Sequence, residues 1–197
     1  MGKFNKIDIR DYGSGNAGTT NVMRTLGKKA GIATYLLDAF KAVIADILIH
    51  FLIVPHTAIP EMLLFLYCGL GIVLGHNFPF YLKFKGGKGI AASSGVVISL
   101  MIFPKYCFMF TVFGIFFFAF VARISRYVSL ASLIGMAMFF VEFLIWGFLG
   151  WLPLNGTDLV EGTVIVFALA ALAFIRHRSN IVRLVHGTER KIGEKKN

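Results

Sequence analysis

Charged residues are scarce in this chain. Lysine, arginine, aspartate and glutamate together make up 15% of its 197 residues, whereas 57% are hydrophobic and the mean hydropathy is +0.75. A soluble globular domain has about 25% charged residues. The composition therefore excludes an ordinary soluble domain and indicates a membrane protein.

Cysteine is almost absent. Cys68 and Cys107 each lie inside an apolar run, with no histidine or second cysteine at the spacing of a metal site. We expect both to be buried, reduced core residues. No metal and no cofactor is expected.

Acidic residues are few as well, since 10 of them stand against 20 lysines and arginines, a formal net charge of +10. The cations occur in short clusters between apolar runs. This pattern favours anionic lipid or phosphorylated substrates as partners, and no nucleic acid partner is expected.

Long apolar segments dominate the rest of the sequence. Those long enough to approach the roughly 30 Å of a bilayer core are Ile32–Val54, Pro60–Leu74, Ile90–Phe103, Tyr106–Val121, Leu130–Leu152 and Val160–Ile175. The sequence FPKY separates the third from the fourth, because proline ends a helix. The predicted fold is all-α: a polytopic integral membrane helical bundle with about six transmembrane helices, formed by residues 1–197 as a single domain.

The cations indicate how the chain is oriented. All but two of the 20, Lys41 and Lys105, fall on one side of the predicted spans. The positive-inside rule places that side in the cytoplasm. Both termini and the glycine-rich loops are therefore predicted to be cytoplasmic.

Two of these loops have a composition suited to phosphate. GSGNAGTTNVMRTLGKK (residues 13–29) and GHNFPFYLKFKGGKGIA (residues 75–91) combine glycines, which let backbone N–H groups converge, with neutral donors and cations. The P-loop spacing GxxxxGK[ST] is not met, since no serine or threonine follows Lys88, and this excludes nucleotide hydrolysis. Each loop alone would favour a solvated turn, but two on one membrane face favour phosphate binding.

Three further polar stretches are candidates. RYVSLAS (residues 126–132) begins a helix in which Ser132 favours helix packing, while Ser129 fits packing or anion binding equally. In RHRSNIVRLVHGTE (residues 176–189), His177, Asn180 and Arg183 share one face if the helix continues, although a cationic anchor is the alternative for Arg176 and Arg178. Asp38 and Lys41 are spaced to pair within the first span, as a functional or a structural ion pair.

Together these stretches resemble a known family. The chain reads SGNxGxTN followed by an arginine, GHNFPxxxKFKGGKGIA, RxxSLAS and HRxNIxRLxxGTE, in that order, between Ile7 and Glu189. These motifs resemble those of the bacterial acyl-phosphate:glycerol-3-phosphate acyltransferases, integral membrane enzymes of phospholipid synthesis. The resemblance implies that acyl phosphate and glycerol 3-phosphate are the substrates and that lysophosphatidic acid and phosphate are the products. It further implies a bacterial inner membrane location, a cytoplasm-facing active site, and the enzyme that forms acyl phosphate as a further partner.

The resemblance also implies the site residues, by motif position. The catalytic set would be Ser14, Arg24, Lys83, Lys88, His177 and Asn180. The substrate-binding set would be Asn16, Gly18, Thr20, Asn21, His76, Gly86, Gly87, Gly89, Ser129 and Ser132. This chain departs from the family by reading GTTN for GATN and by showing no helix upstream of IDIR, where the family has one. The family's seven spans thus become six here with both ends inside, and either the start is assigned at an internal methionine or the chain is a truncated form.

The chemistry expected of such an enzyme needs no catalytic triad. The sequence has no GxSxG elbow and lacks the HxxxxD motif of the other glycerophosphate acyltransferase family. An acyl phosphate is already activated, so the protein mainly has to bring two anions together. Either a substrate phosphate or His177 could take the hydroxyl proton. The main rival function is a membrane transporter of an organic phosphate, which internal repeats would favour, but we see no repeat between residues 1–98 and 99–197.

Overall fold

The computed structural model describes residues 6–103 and 106–194. Within them the chain forms eight α-helices: α1 Thr19–Leu26, α2 Lys28–Leu52, α3 Glu61–Asn77, α4 Ile90–Ser99, α5 Phe108–Ser125, α6 Val128–Phe148, α7 Gly156–Arg176 and α8 Arg178–Val185. Short 3₁₀ turns follow α2, α3 and α4, and another precedes α1. The described residues contain no strand. The predicted all-α class is thus confirmed.

All six predicted apolar segments are helical. Four stretches in the described part of the chain are long and apolar enough to cross a membrane: Glu61–Leu82, Phe108–Ser125, Val128–Phe148 and Gly156–Arg176. The helix α4 with its following turn, Ile90–Ile102, is apolar but shorter. The helix α2 has 25 residues but carries several charges. The polytopic membrane fold is confirmed, and the count of six spans stays a prediction.

The predicted turn at FPKY is only partly visible. Pro104 and Lys105, including the predicted lone cation of the far face, lie outside the described residues. The 3₁₀ turn after α4 ends at Ile102 and α5 begins at Phe108.

The chain divides into two compact units, which we describe separately. The first contains residues 6–59 and 67–99, and the second contains residues 60–66, 100–103 and 106–194. The boundary falls within α3 and again after α4. The prediction of a single domain stays a prediction.

In the first unit, small residues let helices approach closely. A Cβ at Gly95 of α4 would lie 2.1 Å from the carbonyl oxygen of Ala39 on α2, and one at Gly31 would lie 2.5 Å from Cβ of Met23 on α1. Such glycines are typical of membrane helix contacts, where packing rather than the hydrophobic effect holds helices together. Gly27, at φ +88°, makes the one-residue turn that folds α1 back onto α2.

The second unit has an aromatic core between α5 and α6. Phe110 contacts the rings of Phe139, Phe143 and Trp146, with centroid separations of 5.5 to 6.2 Å. All four side chains are buried. Arg126, in the left-handed conformation, ends α5 and lets α6 begin two residues later. The expectation that RYVSLAS starts a helix is therefore correct.

The cysteines differ from one another in burial. Both are free thiols, as predicted, and Cys107 is buried. Cys68 is only partly buried, because α3 leaves one face uncovered by the described residues.

Candidate active site

The first glycine-rich stretch folds around the side chain of Asn21. Its amide nitrogen donates to the carbonyl oxygens of Ile9 and Tyr12, at 3.0 and 2.9 Å, and its Oδ1 accepts from the backbone N–H of Ser14 at 2.8 Å. Asn21 is 2% exposed. Its hydrogen bonds therefore shape the loop, and its predicted contact with substrate stays a prediction.

The structure corrects the expectation that residues 13–29 are all loop, because they include α1. The hydroxyls and asparagines there favour helix starts as well as anion binding. Asn16 accepts the N–H of Gly18 at 2.9 Å, and α1 begins directly after Gly18. Thr20 and Arg24 lie four residues apart, on one face of α1, and Arg24 is exposed. Ser14 is exposed on the loop.

Arg10 connects this loop to the second glycine-rich stretch. Its Nη1 donates to the carbonyl oxygen of Leu82 at 3.0 Å, while its Nε donates to Asp8 at 2.9 Å. The hydrogen bond from Arg10 lowers the pKa of the Asp8 carboxyl to about 2. Next to this contact is a cavity of about 480 Å³, lined among others by Lys83 and Lys85. The structure thus brings the two predicted phosphate-binding loops together within the first unit.

The second glycine-rich stretch is held against the end of α3. The N–H of Gly86 donates to the carbonyl oxygen of Asn77, and that of Gly87 donates to the carbonyl oxygen of His76, both at 3.2 Å. A Cβ at Gly86 would lie 2.1 Å from the latter oxygen, so only glycine fits. These two N–H groups therefore fix the loop. The first turn of α4, which begins after Gly89, offers further backbone N–H groups that have no acceptor within the helix.

Lys83 and Lys88 flank this fixed segment. Lys83 and its neighbour Phe84 both adopt left-handed backbone conformations, with φ of 53° and 60°. Such conformations cost energy in residues other than glycine and cluster at functional sites. Lys83 is exposed and Lys88 is half-buried.

The predicted pair of Asp38 and Lys41 forms, and it includes a third partner. Nζ of Lys41 lies 3.0 Å from Oδ1 of Asp38 and 2.7 Å from Nδ1 of His76. All three side chains line a cavity of about 380 Å³, together with Ala17 of the first loop and Gly86 and Gly87 of the second.

Sequence reasoning missed Asn77. Its side chain is fully buried, and neither its Oδ1 nor its Nδ2 has a hydrogen-bond partner among the described residues. Buried amides normally have partners. A Cβ at Gly89 would lie 2.9 Å from Oδ1 of Asn77. The sequence did contain a signal for Asn77, because it directly follows His76 in the motif GHNFP.

The second unit gathers Ser129, Asn180 and Arg183 around a carboxylate. Oε1 of Glu189 accepts from Oγ of Ser129 at 2.9 Å and from Nδ2 of Asn180 at 2.6 Å, and Oε2 accepts from Nε of Arg183 at 2.7 Å. Burial alone would raise the pKa of Glu189, but the three hydrogen bonds and the charge of Arg183 outweigh it, so the pKa lies below its usual range. Glu189 had no predicted role, although it closes the motif that contains Asn180.

His177 belongs to the same segment but points elsewhere. The predicted shared face of His177, Asn180 and Arg183 required a continuous helix, but α7 ends at Arg176 and α8 starts at Arg178. Nδ1 of His177 lies 2.8 Å from the carbonyl oxygen of Ala173, and the ring is 3% exposed. Because a carbonyl only accepts, Nδ1 carries a proton, and a neutral ring then has its lone pair on Nε2.

The two predicted serines of α6 also have different partners. Whereas Ser129 bonds to Glu189, Oγ of Ser132 donates to the carbonyl oxygen of Val128 in its own helix at 2.8 Å. That bond suits a buried packing position, and the predicted contact of Ser132 with substrate stays a prediction.

Comparison with known proteins gives the family. A family model described as "Glycerol-3-phosphate acyltransferase" matches residues 1–187. The chain belongs to the glycerol-3-phosphate acyltransferase family. A glycerol-3-phosphate acyltransferase of Thermoanaerobacter pseudethanolicus is 42% identical over 190 residues, covering 96% of this chain and 84% of that protein. One of Clostridioides difficile is 39% identical over 192 residues, with the same coverage.

Solved structures of a family member agree with this assignment. The glycerol 3-phosphate form of PlsY (YgiH), an integral membrane glycerol 3-phosphate acyltransferase, is 32% identical with a TM-score of 0.80, over 98% of this chain and 86% of that one. Its lysophosphatidic acid form gives a TM-score of 0.73, over 91% and 81%. The predicted acyltransferase family and membrane-embedded fold are confirmed.

Proposed function

We propose that this protein transfers a fatty acyl group from acyl phosphate to the sn-1 hydroxyl of glycerol 3-phosphate. Lysophosphatidic acid and inorganic phosphate would be the products, and the reaction would be the first step of phospholipid synthesis. Support comes from the match to glycerol-3-phosphate acyltransferases over residues 1–187, and from relatives with bound states named for glycerol 3-phosphate and lysophosphatidic acid. The single observation that carries the proposal in this chain is the meeting of two glycine-rich, cationic loops in the first unit.

In this proposal the cations overcome the repulsion between two anions. Both substrates carry phosphate, and like charges about 4 Å apart repel by roughly 4 kcal/mol near a protein surface. Arg24, Lys83 and Lys88 offset that repulsion, while Ser14 and the asparagines orient the hydroxyl beside the acyl carbon. Positioning and charge stabilisation are sufficient because the acyl phosphate already has a good leaving group.

His177 is our candidate for the proton acceptor. With its Nδ1–H bonded to Ala173, the neutral ring has its lone pair on Nε2. In the transfer, the hydroxyl oxygen of glycerol 3-phosphate bonds to the acyl carbon, the hydroxyl proton moves to the acceptor, and the bond from the acyl carbon to the phosphate oxygen breaks, releasing inorganic phosphate. The second candidate acceptor is an oxygen of a substrate phosphate. Loss of turnover in His177→Gln at an unchanged KM would favour His177, and retained turnover would favour phosphate.

Location and partners follow the same proposal. The chain would reside in the bacterial inner membrane with the active site and both ends facing the cytoplasm, as the distribution of its cations favours. The acyl tail would lie among the apolar helices. The enzyme that forms acyl phosphate would be a further partner.

The decisive assay measures lysophosphatidic acid formation by the purified chain. Glycerol 3-phosphate is supplied with either palmitoyl phosphate or palmitoyl-CoA, and we expect product from the acyl phosphate alone. Equal product from palmitoyl-CoA would refute the donor, and no product from either would refute the reaction. Arg24→Ala and Lys88→Ala should each reduce turnover at least tenfold, whereas Arg123→Ala, exposed near the end of α5, serves as the control.

A further inference from the structure

Lys41 of α2 contacts His76, near the end of α3. Nζ of Lys41 lies 2.7 Å from Nδ1 of His76 and 3.0 Å from Oδ1 of Asp38. That carboxylate oxygen lies 3.3 Å from the same Nδ1. The side chain of His76 is 10% exposed and that of Asp38 is 18% exposed. One ammonium group thus connects a carboxylate and an imidazole at the 380 Å³ cavity.

The chemistry of these three groups fixes where the histidine proton sits. A lysine ammonium has three donors and no acceptor, so Nδ1 of His76 must accept. A carboxylate also only accepts, so the short distance between Asp38 and Nδ1 is bridged by the Lys41 ammonium. A neutral imidazole that accepts at Nδ1 carries its proton at Nε2.

The protonated nitrogen faces the glycine loop. A Cβ at Gly87 would lie 2.0 Å from Nε2 of His76, so this ring edge occupies the space that any side chain at residue 87 would need. Gly86 and Gly87 line the same 380 Å³ cavity as Asp38, Lys41 and His76. An Nε2–H here attracts an anion, whereas a lone pair at Nε2 would repel one.

We propose that Lys41, held by Asp38, fixes His76 as the Nε2–H tautomer and thereby makes His76 a neutral hydrogen-bond donor to a substrate phosphate in this cavity. Lys41 and Asp38 are positioning residues, since they act through the His76 ring. The inference rests on the proposed function, because it assigns His76 a role toward the phosphate of glycerol 3-phosphate or of acyl phosphate. The charge on Asp38 offsets that of Lys41, so the Nε2–H of His76 can donate to a phosphate without net positive charge being added to the cavity.

Nuclear magnetic resonance tests the tautomer directly. Protein labelled with ¹⁵N-histidine in detergent micelles gives distinct nitrogen shifts for Nδ1–H and Nε2–H rings, and the signals of His76 among the five histidines are those lost in His76→Gln. We expect a fully Nε2–H ring in the wild type and a mixture of tautomers in Lys41→Met. A wild-type ring with its proton on Nδ1, or a spectrum unchanged in Lys41→Met, would overturn the proposal.

Steady-state kinetics test its consequence. Hydrogen bonds to charged groups contribute about 1.5–3 kcal/mol, so Lys41→Met should raise the KM of one substrate about tenfold or more while kcat changes less than about threefold. Measuring KM separately for glycerol 3-phosphate and palmitoyl phosphate identifies which phosphate is bound. Lys41→Arg, which keeps the donors, should stay within about threefold of wild type. His76→Gln, whose amide nitrogen reaches the position of Nε2, should bind better than His76→Asn.

Controls separate this proposal from loss of fold and from failure of the proposed function. Arg123→Met removes an exposed cation near the end of α5, outside both glycine-rich stretches, and should leave KM unchanged. Each variant is compared in gel filtration and thermal unfolding, and equal KM values for wild type and Lys41→Met would overturn the inference. A wild-type protein that forms no lysophosphatidic acid would refute the proposed function instead, and the ¹⁵N spectrum would still decide the tautomer.

Discussion

Glu189 should stabilise the second unit, and replacing it should be costly. Its carboxylate accepts hydrogen bonds from Ser129, Asn180 and Arg183, at 2.6 to 2.9 Å, and it is 9% exposed. These bonds connect the start of α6, the helix α8 and the segment after α8. Ser129 and Asn180 are buried and would each lose an acceptor, at about 1–3 kcal/mol for each unsatisfied donor and so about 2–6 kcal/mol together. The Arg183 side chain is 39% exposed, so water screens its charge and its bond adds little. We expect a loss of this size for Glu189→Ala.

The conservative change Glu189→Gln separates shape from charge. The amide keeps an acceptor oxygen but offers an N–H₂ group where the carboxylate accepted, so it can satisfy at most part of the cluster. A loss of about 1–3 kcal/mol is expected, since one hydrogen bond to a charged group is removed. The order of stability should be wild type, then Glu189→Gln, then Glu189→Ala.

Thermal unfolding of the purified protein in detergent measures this order. For chains of this length 1 kcal/mol corresponds to roughly 2–4 °C in Tm, so Glu189→Ala should unfold about 4–24 °C below wild type. Glu194→Gln is the matched control, because Glu194 is exposed and its Oε2 accepts from the backbone N–H of Lys191, three residues away. The free energy of unfolding of this control should differ from wild type by no more than about 0.5 kcal/mol, as for other surface substitutions. Equal Tm values for Glu189→Ala and Glu194→Gln would refute the reasoning.

Three further predictions concern pH, the glycine loop and the first motif. Because the folded pKa of Glu189 is depressed, its stabilisation is present above the ordinary glutamate pKa of about 4.3 and is lost as pH falls through the folded value. The difference in Tm between wild type and Glu189→Gln should therefore shrink in acid. A constant difference down to pH 3 would contradict this. Gly87→Ala should raise KM at least tenfold or prevent folding, since its methyl would overlap Nε2 of His76, whereas Gly71→Ala, which faces open space, should retain wild-type kinetics. Asn21→Ala should lower both Tm and turnover. The expected loss of stability is about 2–4 kcal/mol, because three hydrogen bonds of about 1 kcal/mol each are lost. Unchanged values in thermal unfolding and product assays would refute the role of Asn21 in loop folding.

The helices and their membrane character could be predicted because they depend on local properties. A long apolar run forms a helix in a bilayer whatever its neighbours are, since only internal hydrogen bonds can satisfy its backbone there. Helix ends were less predictable: α1 lies in a stretch that its glycines made appear as loop, and the break between α7 and α8 at His177 has no proline or glycine to signal it.

The order and spacing of the four motifs, also local features of the sequence, identified the family without a structure. One contact could also be predicted from the sequence, because Asp38 and Lys41 are three residues apart on a helix and therefore lie on the same face.

Only the tertiary structure decided which side chains meet across the chain. His76 is 35 residues from Lys41, and Glu189 is 60 residues from Ser129. No periodicity connects such distant positions, because their contact depends on how helices pack. The same packing decided that Asn21 holds its own loop while His76 turns its Nε2 toward Gly87. The sequence by itself thus determined the helices, the membrane and the family, whereas packing determined the proton positions and hydrogen-bond partners on which the chemistry depends.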